Sequence, residues 1–198
     1  MLAATKSFLP PCTKASQTGF VLGGEAKNLN CALSAFEVNI PDTAITAPDF
    51  PGLLLDYSEV EFLLAEAIER GFNVAGTAST HYDNAITASI LYWGGTAADA
   101  ATYLAQPSIN YVTAPGNYKQ NIGIQKWIAL YNRGFDAWIE WRRLDYPQLQ
   151  PAFGAVSDIP VRFTYPVNEQ NYNTENYNAA ASDIGGDDVT TRLWWDKF

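Results

Sequence analysis

From Asp56 to Pro147 apolar side chains return at helical spacing, and each run is closed by its own stop signal. Asp56 can accept a hydrogen bond from the first turn, and Glu59, three residues on, can reach back to the cap amide and complete a capping box. Val60, Leu63, Leu64, Ala67 and Ile68 then fall on one helical face, with Glu66 and Arg70 one turn apart on the outer side and Gly71 as the stop. Thr80 with Asp83 repeats the start signal more weakly. Tyr82, Ala85, Ile86, Ser89 and Ile90 give a second apolar face that ends at Gly94-Gly95. Two helices and a linker of this length have the size of a tetratricopeptide-type hairpin, in which each face must be covered by a neighbour. The expected fold class is therefore mainly α, built from tetratricopeptide-like helical pairs.

The pattern continues with a short Ala-rich helix over Thr96 to Leu104, a loop from Ser108 to Gly116, and a longer pair from about Asn117. Ile124, Trp127, Ile128 and Tyr131 form one stripe, Gly134 breaks it, and Phe135, Trp138, Ile139 and Arg142 form another. Gly123 inside the first stripe costs about 1 kcal/mol relative to Ala, which predicts a close approach by neighbouring backbone. Leu63, Leu64, Trp127, Ile128, Trp138 and Ile139 are the expected core. After Pro147 the periodicity dissolves into a wrapping tail, 148–198. It contains one edge strand, Val161 to Tyr165, and has Trp194 and Trp195 docked on the helices. Residues 1–52 carry Pro and Gly with no sustained period, an irregular N-terminal segment expected to continue from a missing upstream region. The helices (56–147) and tail form the second unit, 53–198.

Only 17% of the residues are charged while 14% are aromatic, and the formal net charge is -9. Nucleic acid and anionic lipid are disfavoured as partners by that charge, and a neutral ligand such as a sugar is favoured. No run approaches the roughly 18 apolar residues that span a bilayer. Met1 to Cys12 does not read as a lipidation signal, because Lys6 breaks the apolar run and Pro10-Pro11 stand where small residues belong. Cys12 and Cys31 could pair in an oxidising compartment; the spacing alone supplies no distance, and two unpaired thiols is the favoured reading. His81, the lone histidine, reads as a surface residue, and no cofactor or metal site is expected.

The segment Leu55-Asp56-Tyr57-Ser58-Glu59-Val60-Glu61-Phe62-Leu63-Leu64-Ala65-Glu66-Ala67 resembles the tyrosine-(Ala/Ser)-Glu helix of SusD/RagB proteins. Four further blocks stand in that family's order: Ile90 to Gly94, Gln125 to Leu130, Ala137 to Arg143, and Ile159 to Pro166. With Asn168-Glu169, Asn176-Tyr177-Asn178 and Trp194-Trp195-Asp196 the likeness covers about residues 53–198 and is strongest to the SusD-like subgroup, as its C-terminal part. The resemblance implies a helical, non-catalytic nutrient-binding component. Such a protein is lipid-anchored at the surface of the outer membrane and seated over a SusC-like TonB-dependent transporter, with an oligosaccharide or other nutrient as cargo. It also implies that the N-terminal half of the family fold lies elsewhere, so that the chain alone binds sugar weakly.

Within the chain, the cluster Trp138, Trp141, Arg142 and Arg143 could serve as a sugar platform, but its helical spacing favours core for Trp138 and a clamp on the tail or a helix end for the arginines. Aromatics on loops are better ligand candidates. Trp93, Tyr103, Tyr111 and Tyr118 are those residues. A glycan-cleaving enzyme would need two carboxylates facing across a cleft, and Glu169, Glu175, Asp183, Asp187 and Asp188 show no pattern that pairs them. A helical protein-interaction scaffold without sugar binding is the remaining alternative.

Overall fold

The computed structural model describes Ile45 and residues 47–196, so Cys12, Cys31 and most of residues 1–52 lie outside the described residues. The first helix, α1 (Tyr57–Glu69), starts where Asp56 accepts the Glu59 amide at 2.7 Å. The reciprocal half of the capping box is not made, because Glu59 turns its carboxylate to Arg133 at 2.5 Å. The second helix, α2 (Ala78–Tyr92), begins three residues earlier than the sequence signal. Thr77 is its cap, and Thr80 supplies the amide that the cap accepts. A complete capping box, Thr96 with Asp99, opens α3 (Ala97–Leu104). Asn117 caps α4 (Tyr118–Ala129) and Gly134 starts α5 (Gly134–Leu144).

α1 packs on α2, α2 also on α3, and α4 joins α1 to α5, a succession of helical pairs as expected. The core between them is Phe62, Ala65, Tyr82, Ala85, Ile86, Ile90, Ala100, Ile122, Ala129 and Leu144. This corrects the expected core. Leu63 is 41% and Trp127 37% exposed, and Leu64, Ile128, Trp138 and Ile139 are only half-buried. On α1 the inward face is Ser58, Glu61, Phe62, Ala65 and Glu66, so the helix is apolar on both sides and its packed side is the more polar one. That choice is affordable because each polar group finds a partner. Ser58 donates to the Ala85 carbonyl at 2.8 Å, and Glu66, read from sequence as an outer residue, takes Arg143 and Arg70.

Gly123 meets the expected close approach: a Cβ there would lie 3.1 Å from Tyr146 Cβ, 3.3 Å from Leu144 Cβ and 3.5 Å from the Tyr146 carbonyl oxygen. The tail departs from expectation in two ways. No strand forms among the described residues. Val161 and Arg162 direct their amides to the single Val189 carbonyl, at 2.8 and 3.2 Å, and the prolines on either side have no amide with which to extend a ladder. The Asn/Tyr-rich stretch forms two helices instead, α6 (Val167–Tyr172) and α7 (Thr174–Ile184), which bury no residue fully and so leave no apolar period to read. A 3₁₀ turn, Trp194–Asp196, closes the described chain.

Candidate functional site

Where α2 ends, Gly94 takes a left-handed conformation (φ 82°), and the Gly95 amide returns to the Ile90 carbonyl at 2.9 Å. A Cβ on Gly95 would fall 2.6 Å from Ile90 Cγ2, so only glycine lets the chain fold back this tightly. This turn fixes Trp93 at the helix end. Its ring stacks on Phe50 (6.5 Å between centroids, 17° between planes) and meets Tyr92 and Tyr131 edge-on at 5.1 and 5.3 Å. Tyr92 and Tyr131 are 42% and 43% exposed, and Trp93 is half-buried. Of these rings only Trp93 is among the residues singled out from the sequence as ligand candidates. Tyr131, at stripe spacing in the sequence, stands just past α4, before the left-handed Asn132 (φ 66°). The group offers aromatic edges and faces to the apolar side of a ring-shaped ligand, and phenol hydroxyls beside them.

Tyr103, Tyr111 and Tyr118 are brought together in another place, packed against the core. Tyr103 donates to Gln125 Oε1 at 3.0 Å, Tyr111 donates to Glu69 Oε1 at 2.7 Å, and the Tyr111 ring lies 4.9 Å from that of Tyr82. Burial and then the Glu69 carboxylate push the Tyr111 phenol far above its usual range, and burial also raises Tyr103. Both hydroxyls are thus held as neutral donors to the protein itself.

A second aromatic group, Phe135, Trp138 and Phe163, sits on α5 and the tail. Arg142 lies 3.8 Å over the Trp138 ring and 5.2 Å over that of Trp195, and it donates to the Val161 carbonyl at 2.8 Å. Trp138 and Trp141 donate their indole N–H to the Pro160 and Pro147 carbonyls at 2.7 and 2.9 Å. The expected clamp on the tail is Arg142; Arg143 instead joins Glu66 and Glu140. In the acidic loop, Asp187 accepts from Arg162 (2.7 Å), the Tyr165 amide (3.0 Å) and the Tyr177 hydroxyl (3.2 Å), which fastens the tail to itself. Among the described residues no group of three or more His, Cys, Asp or Glu side chains could hold a metal ion. Likewise no helix there is long and apolar enough to cross a membrane. His81 is half-buried, not a surface residue, and bridges Glu61 and the Ala75 carbonyl.

Successive helical pairs closed by a side-chain-fastened tail define a tetratricopeptide-like helical protein of the SusD type. The chain belongs to the SusD-like family described as starch-binding associating with the outer membrane, whose model matches residues 9–166. It is 30% identical to a Bacteroidetes SusD-like protein, AC2a, with a TM-score of 0.68 over 90% of this chain and 39% of that one. A chitin-binding SusD homologue from Flavobacterium johnsoniae is 31% identical, with a TM-score of 0.58 over 72% of this chain and 36% of that one. A SusD homologue from Bacteroides thetaiotaomicron is 27% identical, with a TM-score of 0.61 over 75% and 39%. The chain therefore spans well under half the length of these relatives. No curated protein matches the sequence.

Proposed function

We propose that this chain is part of a non-catalytic glycan-binding protein at the outer-membrane surface, serving a SusC-like TonB-dependent transporter, and that Trp93 with Tyr92 and Tyr131 is its sugar-facing group. The observation that carries the reading is a half-buried tryptophan at a glycine turn, flanked by two exposed tyrosines, on a chain of a family described as starch-binding. Aromatic faces take the C–H side of a pyranose, and a neutral sugar suffers no repulsion from a chain of net charge -9. Tyr103, Tyr111 and Tyr118 support the helical core instead, since they pack against it and two of their hydroxyls are already committed. Affinity in the isolated chain is weak, because a site with few walls leaves ligand hydroxyls unmatched.

Weak binding calls for a sensitive readout. An NMR titration with millimolar starch-type and chitin-type oligosaccharides would follow the six tryptophan indole resonances. The Trp93 signal moves and Trp93→Ala abolishes the remaining shifts, while Trp138 and Trp141 stay still because their N–H groups are engaged. Shifts that spare Trp93, or release of reducing ends during the titration, overturn the proposal.

A further inference from the structure

We infer that the turn joining α1 to α2 is a pH-sensitive latch, closed by a doubly protonated His81 that holds Glu61 with one ring nitrogen and the Ala75 carbonyl with the other. The geometry leaves the ring little choice. Nε2 lies 2.8 Å from the Ala75 carbonyl oxygen, which can only accept, so Nε2 carries a proton. Nδ1 lies 2.7 Å from Glu61 Oε2. A neutral ring with its proton on Nε2 would aim the Nδ1 lone pair at a carboxylate oxygen, two acceptors face to face. With Glu61 ionised, both nitrogens must therefore donate, and the ring is an imidazolium.

Hydrogen bonds with the neighbours keep the pair in that state against the effect of burial. The groups facing it are Tyr57 and Glu61 on α1, Asn84 on α2, which donates to Glu61 Oε2 at 3.4 Å, and the Ala75 carbonyl on the turn. Gly76 completes the closure: it is left-handed (φ 95°), and a Cβ there would stand 2.9 Å from Nε2, so the turn seats directly on the ring. The bond to Ala75, then the Glu61 carboxylate, raise the His81 pKa against the opposing effect of burial. Burial pushes Glu61 up, but the bonds from Tyr57, His81 and Asn84 outweigh it and hold its carboxyl below the usual range.

The latch is therefore bounded on both sides. The histidine contribution is complete below the ordinary value of about 6.5 and is lost as pH rises through the raised folded value. The glutamate contribution is complete above its ordinary value of about 4.3 and is lost as pH falls through the lowered one. Above the upper limit the turn loses its anchor at the Ala75 carbonyl.

His81 is the lone histidine, so its imidazole signals can be followed without assignment ambiguity in the whole chain. A proton NMR titration should place the midpoint above that of a free histidine, and hydrogen-exchange protection of the 71–77 amides should fall several-fold through the same pH interval. Glu61→Gln should bring the midpoint down, and His81→Gln should make protection independent of pH. A wild-type midpoint at or below the ordinary histidine value, or protection that does not change across it, overturns the latch. The wild-type titration decides the matter even where a variant does not fold.

Discussion

Arg143 on α5 grips both carboxylate oxygens of Glu66 on α1, and Glu66 is 97% buried by residue surface, at 3% exposure. Around this pair the charges alternate, from Arg70 to Glu66, Arg143, Glu140 and Lys126, across α1, α5 and α4. Burial alone would raise the Glu66 carboxyl, but Arg143 and Arg70 reverse this and hold it below the usual range. The sign follows: the contribution is complete above about pH 4.3 and disappears as pH falls through the lowered folded value. Arg143→Ala should cost toward the lower end of about 3–5 kcal/mol, because Arg70 remains for Glu66. Arg143→Lys should recover only part of this, since an ammonium cannot replace the fork. Urea unfolding at pH 7 and at pH 3.5 checks both, with the difference between wild type and variant shrinking at the lower pH.

Phe62 and Leu63 are neighbours with opposite fates, at 0% and 41% exposure. Phe62→Ala should destabilise by about 3–5 kcal/mol. Leu63→Ala should cost under about 1 kcal/mol in this chain, as expected for a surface position. Equal losses in thermal or denaturant melts would show that the outer face of α1 is packed as firmly as the inner one.

Gly123→Ala removes a helix-weakening residue, which alone would gain about 1 kcal/mol. The new methyl would press on Tyr146 and Leu144 at 3.1–3.3 Å, where fully buried Leu144 has little freedom to retreat. A net loss of about 1–3 kcal/mol is expected. A rise in melting temperature would mean that the α4 to α5 end opens easily.

Trp138 is half-buried, so Trp138→Ala should cost less than the roughly 3–5 kcal/mol of a fully enclosed tryptophan. Its signature should be local: limited proteolysis within 148–196 before the helices unfold. Trp138→Phe keeps a ring beneath Arg142 and loses only the bond to Pro160, a change of about 1 kcal/mol.

The helical pairs were legible because periodicity and end signals act locally. Asp56, Asn117 and Gly134 mark real boundaries. Which face of α1 turns inward was not legible: hydrophobicity favours Leu63 and Leu64, and the decision rests on partners distant in sequence, Ala85 for Ser58 and Arg143 for Glu66. The same reason hid His81, whose partner Glu61 lies 20 positions away. Of the aromatic groups, Trp93 could be found from its place before two glycines, but Phe50 and Tyr131 join it only in three dimensions.

The helix α5 holds the tail by its carbonyls. Trp141 takes that of Pro147, Trp138 that of Pro160 and Arg142 that of Val161. Every amino acid brings the same carbonyl to such a seat. At Val161 the hold therefore makes no demand on side-chain chemistry, while the residues of α5 that grip the carbonyls are fixed by theirs. Mutational tolerance along this seam should be lopsided, with Trp138, Trp141 and Arg142 intolerant and Val161 permissive.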